Sequence, residues 1–310
     1  MKNARVVEEL FTFGDDRHLV GTVSLPSASG TPAPKPGEGA IALILFNAGV
    51  ISRMGPHRLY VKLARQAARA GVPALRFDLS GQGDSLPSAA TTSFEQQSVS
   101  DVRRAMDEMS ARTGVTRFVL FGICSGAVLS YAAALEDPRV VGCAMLDPYM
   151  YPTIKTHVTR LVTRLHELGL REVAAGWLKR RLGDMIRLAR RTGTPPGPQS
   201  DPNGGLGLQK PEQRVFAEGL HRLLDRDVAL MMIFSGSALY TYNYEKQFDD
   251  GFRRYGLAGR IRADLLPEID HTVTELAAQA QLIRHLLAWV DASFQPSSHV
   301  PAGLLERMEH

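Results

Sequence analysis

The chain has 310 residues, 44% of them hydrophobic and 22% charged, with a formal net charge of +4. That balance excludes a disordered chain and fits one large α/β core carrying an insertion. Two cysteines, Cys124 and Cys143, do not make a disulfide scaffold, and no zinc-like spacing or aromatic-interleaved basic motif points to a metal or to nucleic acid.

Residues 5–12 and 18–25 have strand-type composition around a Gly-Asp-Asp turn and predict an antiparallel hairpin. Ser27 to Gly39 is a Pro/Gly/Ser-rich loop, and Ala40 to Phe46 is a continuous apolar run of the kind buried on both faces of a sheet. A helix is expected from Pro56 to Ala70, a strand from Val72 to Phe77, a glycine-rich loop from Asp78 to Ser85 and a helix from Phe94 to Arg112. The Gly81-Gln82-Gly83 spacing matches neither a Walker motif nor a dinucleotide fingerprint, so it reads as a tight turn. Arg117 to Leu129 then reads as strand, turn and helix, and Val140 to Leu146 as another buried strand, in which Cys143 is a small inert hydrophobe.

The alternation breaks at 151–227, a predicted helical cap insertion between core segments 1–150 and 228–310. Ile154, Val158, Leu161, Val162, Leu165 and Leu168 form one helical stripe. Val173, Trp177, Leu178, Leu182, Met185 and Ile186 form a second, followed by a Pro/Gly-rich linker and a short helix over 211–224. From Thr153 to Arg191 there are ten Lys and Arg against three acids, which concentrates positive charge in the insertion. The alternation resumes with strands at 228–234 and 261–266 and helices at 243–255 and 275–294. Such alternation predicts a mostly parallel sheet with helices on both faces. The start of the chain has no signal-type apolar run, and no later stretch approaches about 18 uncharged apolar residues, so a cytoplasmic protein without a membrane span is expected.

The most informative stretch is Gly122-Ile123-Cys124-Ser125-Gly126, a G-x-nucleophile-x-G spacing at a predicted strand-to-helix turn. Strand and helix backbones pass so closely there that the positions two before and two after the nucleophile must be small. Cys124 meets both conditions, whereas Ser125 has Ile123 two residues before it. The helix N-terminus that follows would favour a thiolate at Cys124. His271, in the last strand-to-helix loop, is the candidate base, because a parallel sheet carries it to the same edge. The stretch after strand 228–234, Ser235 to Tyr240, holds no carboxylate to orient that base. Asp147, at a strand end, is the favoured acid and Glu245 the alternative. Oxyanion donors are expected from the Ser125 backbone N–H and from Val50 or Gly49.

Together these residues resemble the α/β-hydrolase superfamily over nearly the whole chain. The stretches Asn47-Ala48-Gly49, Gly55 to Tyr60, Arg76 to Gly81 and Asp270-His271-Thr272 are similar to serine-aminopeptidase-like and exosortase-associated hydrolases. The resemblance implies a Cys124–His271–acid triad beneath a helical cap. Cysteine replaces the superfamily's usual serine, as in dienelactone hydrolases, whose elbows are similar. Hydrolysis of a thioester, ester or lactone through an acyl-enzyme is the expected activity, with no cofactor. Acyl transfer to an alcohol or amine and binding without catalysis are the rival readings. An acyl carrier protein or a coenzyme A thioester is the partner that the basic insertion would suit.

Overall fold

The computed structural model describes residues 5–27, 39–166 and 208–294. Eight strands form one sheet: β1 (Arg5–Phe13), β2 (Leu19–Ser27), β3 (Ile41–Phe46), β4 (Ala74–Asp78), β5 (Arg117–Ile123), β6 (Val140–Leu146), β7 (Ala229–Ser235) and β8 (Arg262–Leu266). Their spatial order is β1-β2-β4-β3-β5-β6-β7-β8. β1 pairs antiparallel with β2, and β2 with β4; every other pairing is parallel.

At the sheet centre β3, and β5 beyond Arg117, are apolar at every position because helices cover both faces. Ala42, Ile44 and Phe46 of β3 and Phe118 and Leu120 of β5 point into one hydrophobic layer; Ile41, Leu43, Leu45, Val119, Phe121 and Ile123 point into the other. The first layer is closed by α2 (Phe94–Thr113), α3 (Ser125–Glu136) and α5 (Gln213–Leu224), the second by α1 (Leu59–Arg69) and α7 (Leu276–Phe294). Residues 154–166 form a further helix, α4, and Gln247–Phe252 the short α6. Among the described residues no helix is long and apolar enough to cross a membrane.

Local chemistry sets the ends. α2 starts in a capping box, with Ser93 accepting from the Gln96 N–H and the Gln96 side chain from the Ser93 N–H, and it stops at Gly114 with φ 79°. α1 begins three residues later than the sequence suggests, because His57 and Arg58 take positive φ in a 3-10 turn that tucks Gly55 against Tyr60. The helix expected over 243–255 is shorter for a comparable reason. Buried Gln247 accepts from the Asn243 N–H and donates to the carbonyls of Thr241 and Tyr151, which holds 243–246 as a turn.

α5, within the segment expected to be the insertion, packs on α3. A Cβ at Gly219 would lie 1.8 Å from the Tyr131 hydroxyl, so glycine lets the two helices cross closely. Phe216 stacks with Tyr151 and, with Ala217, Leu220 and Leu223, joins the first layer. The α4 residues Ile154, Val158, Leu161 and Val162 are exposed. The second stripe, 173–186, and the linker lie outside the described residues.

Candidate active site

The turn between β5 and α3 is built by steric exclusion. A Cβ on Gly122 would sit 2.1 Å from the Gly126 carbonyl oxygen, and one on Gly126 would sit 2.7 Å from the Asn47 oxygen. Both glycines are therefore demanded by the close approach of three backbones. Between them Cys124 is forced to φ 57°, ψ −120°, a costly conformation for a residue with a side chain. Its N–H donates to Leu146, and its carbonyl accepts from Ala127 and Val128, so the residue ends one ladder and starts a helix. The Cys124 side chain is half-buried; Cys143 is fully buried in the core, where desolvation pushes its thiol up to about 12.

Asp147 follows β6 directly. The β6–β7 register pairs Leu146 with Ile233, which sets Asp147 beside the end of β7. Its N–H donates to Ile233 at 2.8 Å, and it takes a positive φ of 52°, which aspartate tolerates better than most residues. The buried carboxylate accepts three hydrogen bonds: from the Ser235 N–H at 2.8 Å, the Ser235 hydroxyl at 2.7 Å and His271 Nδ1 at 2.6 Å. Ser235 thus stands where the sequence lacks a carboxylate, and it holds the one supplied by the neighbouring strand.

His271 lies in the loop after β8, fixed from both sides. Its N–H donates to the Ser237 hydroxyl at 2.9 Å, and Gly236 donates to Ile269 at 2.7 Å. The Asp270 carboxylate accepts from the Thr274 N–H and from the hydroxyls of Thr272 and Thr274; these bonds, the Thr274 amide foremost, hold it down to about 2. The Cys124 side chain lies near enough to the imidazole to favour its protonated form. Asp147 first and Cys124 second outweigh desolvation and raise His271 to about 10. Cys124, His271 and Asp147 are thereby brought together at the C-terminal edge of the sheet, the crevice where open α/β sheets bind ligands. Glu245 is not among them: it is exposed in the turn before α6.

The remaining expected site residues line the β3 loop. Ser125 is 1% exposed, and its Oγ accepts the Gly49 N–H at 2.7 Å. Val50 is 83% exposed on the rim. The loop is braced from beneath by Asp78, within the Arg76 to Gly81 stretch but with no role assigned there by the sequence, and by Arg53, which no motif marks. Buried Asp78 accepts from the Arg53 N–H at 2.6 Å, Arg53 Nη1 at 2.5 Å, Asn47 Nδ2 at 3.2 Å and the Asp84 N–H at 3.2 Å. Asn47 also donates to Ile51 and accepts from Leu79. Gly83, with φ 54°, is needed because a Cβ there would fall 2.4 Å from the Asp78 carboxyl carbon, so the Gly81-Gln82-Gly83 segment is a tight turn around this acid.

A cavity of about 730 Å³ runs over α3 between α2 and α5. Val99, Val128, Tyr131, Leu135, Tyr149 and Val215 supply apolar lining, with Glu95, Arg103, Glu218 and Arg222 among its charged groups; Cys124, Asp147 and His271 do not line it. Among the described residues no group of three or more His, Cys, Asp or Glu side chains is arranged to hold a metal ion. Of the basic positions between Thr153 and Arg191, Lys155 lies over the Tyr244 ring and Arg160 over the Tyr240 ring, while the seven from Arg171 to Arg191 lie outside the described residues.

The fold recurs in solved structures. The α/β hydrolase GrgF from Penicillium sp. sh18 superposes with a TM-score of 0.52 at 12% identity, over 94% of this chain and 99% of that one. A member of the α/β serine hydrolases without lid, from Xanthomonas campestris, gives 0.50 at 13% over 96% and 98%. A cold-adapted esterase from an Arctic intertidal metagenomic library gives 0.50 at 11% over 95% and 96%. At these identities the likeness is one of fold. No curated protein matches the chain. Residues 49–306, well over half of the chain and including the β5–α3 turn, Asp147 and His271, match the alpha/beta hydrolase family, and the chain belongs to it.

Proposed function

We propose that this hydrolase cleaves activated acyl groups, thioesters, esters or lactones, with Cys124 as nucleophile, His271 as general acid and base, and Asp147 as the group that orients His271. One observation carries the reading: a single imidazole is hydrogen-bonded through Nδ1 to a buried carboxylate, and Cys124 at the strained turn lies close enough to favour its protonated form. That is the relation of nucleophile, base and orienting group that covalent acyl transfer requires. The shared motif stretches support a finer placement among the serine-aminopeptidase-like and exosortase-associated hydrolases.

In this reading the Cys124 thiolate attacks the acyl carbon, and the carbonyl π electrons move onto oxygen. The Ser125 N–H, at the start of α3, donates to that oxyanion. As the intermediate collapses, the bond to the leaving group breaks and His271 delivers its proton there. The acyl-enzyme is a thioester on Cys124. Neutral His271 then takes a proton from water as hydroxide adds to the thioester, and the sulfur leaves as thiolate. Because sulfur is a good leaving group, a tetrahedral adduct with a poor leaving group reverts to substrate. Thioesters and activated esters therefore suit the site better than amides.

The raised His271 sets the pH limit. Its proton is needed for leaving-group departure and is held in the folded protein until about pH 10. kcat/KM for an activated alkyl ester, whose alkoxide departs only with a proton, is expected to fall as pH rises through that value, measured under acylation-limited conditions; an alkaline limb near 6.5, the ordinary imidazole range, would contradict the assignment.

Acyl groups carried on coenzyme A or an acidic carrier protein are the substrates that the basic 153–191 segment would attract. With such a substrate kcat/KM should drop several-fold between about 0.05 and 0.5 M salt, while a neutral aryl ester is unaffected. Equal salt responses for the two substrates would argue against steering by this segment.

A further inference from the structure

Ser125 has two groups that can face a developing oxyanion, and only its amide is accounted for. Its side chain is 1% exposed, and its Oγ accepts the Gly49 N–H at 2.7 Å. That bond occupies one lone pair of Oγ and leaves the hydroxyl hydrogen, which makes no hydrogen bond among the described residues. A buried hydroxyl with an unspent proton is unfavourable in the resting protein and becomes favourable when an acceptor arrives. The bond also commits the Gly49 N–H, so this loop amide is not free to bind the oxyanion itself.

Oγ stands within one side chain of the Ser125 N–H, so hydroxyl and amide can converge on the same point beside Cys124. We propose that the second donor to the acyl oxyanion is the Ser125 hydroxyl, polarised by Gly49 in the chain Gly49 N–H to Ser125 Oγ–H to oxyanion. The inference rests on Cys124 being the nucleophile. Accepting a hydrogen bond from Gly49 makes the hydroxyl a stronger donor, because each bond in such a chain polarises the next. Asn47 and Asp78 hold the loop that carries Gly49, so the chain is in position before substrate arrives. The serine beside the cysteine is thus neither a spare nucleophile nor filler: its hydroxyl would stabilise charge that exists only during reaction.

The test compares Ser125→Ala with the native enzyme in single-turnover acylation by an aryl ester and by its thiono analogue, with the acylated residue identified by mass spectrometry. Expected is a loss of about 100-fold on the oxygen ester, the order found when one oxyanion donor is removed. KM and the melting temperature should be little changed, and the loss on the thiono analogue much smaller, because sulfur is the poorer hydrogen-bond acceptor. Acylation of Cys124 at an unchanged rate in Ser125→Ala would overturn the inference and return the second donor to a loop amide such as Val50. Equal losses on both esters would also overturn it, since a general packing defect slows both alike. Failure of the underlying reading looks different: the acyl group would not be found on Cys124 in the native enzyme at all.

Discussion

Asp147→Asn is expected to lower kcat/KM on an aryl ester by about 10³- to 10⁴-fold without unfolding the protein. The carboxylate accepts from the Ser235 amide, the Ser235 hydroxyl and His271 Nδ1. In the asparagine variant the single carbonyl oxygen stays with the Ser235 N–H, and the amide NH₂ then faces Nδ1. Two donors cannot share that contact, so Nδ1 loses its proton and the imidazole adopts the tautomer that presents N–H, rather than a lone pair, to Cys124. The barrier to water attack on the acyl-enzyme rises accordingly. Ser235→Ala removes one of the three bonds and leaves the tautomer intact, so a loss of about tenfold is expected. Glu245→Gln should leave turnover unchanged, because Glu245 is exposed in the turn before α6. Steady-state kinetics on the three variants checks all of this; an Asp147→Asn enzyme within tenfold of wild type would mean that another group orients His271.

Cys124→Ala is expected to lower turnover by about 10⁵-fold or more, since removal of a nucleophile leaves only oxyanion stabilisation and binding. Full activity in this variant would remove Cys124 from the reaction and reopen the case for a binding protein with incidental hydrolysis. The neighbouring serine offers no substitute, because Ser125 is buried with its oxygen bonded to Gly49. Cys143 cannot stand in either: it is enclosed in the core and its thiol is pushed up to about 12.

The features most legible in the sequence are those that sterics impose. Gly122 and Gly126 flank Cys124 because backbone atoms occupy the space their side chains would need, and a rule of that kind leaves a fixed spacing behind. The buried strands were legible for a related reason, since layers on both faces demand unbroken apolar runs such as Ile41–Phe46. Asp147 could be singled out because a residue at a strand end has its place set by the sheet register.

What pairwise hydrogen bonding decides left no such trace. Ser235 and Ser237 are ordinary turn residues in the sequence, yet one holds Asp147 and the other the His271 backbone. Their trace in the sequence is the Ser235-Gly236-Ser237 stretch, which closes the strand without a carboxylate. Asp78 ends β4 within the Arg76 to Gly81 stretch, but only its contacts with Arg53 and Asn47 reveal that it braces the β3 loop. Gly49 was legible as a loop amide but not as a donor to Ser125, because that bond joins positions 76 residues apart. The shortened helix near 243–255 follows the same pattern, a buried Gln247 side chain outcompeting local helical preference.

The central claim concerns which atom carries the acyl group. The enzyme would be mixed with an aryl ester, quenched in acid within the first turnover, and digested for peptide mass spectrometry. The account predicts one acyl equivalent on the peptide containing Cys124, released by hydroxylamine as a thioester and absent in Cys124→Ala. An acyl group recovered on Ser125 or on any residue other than Cys124, with turnover intact, would contradict it.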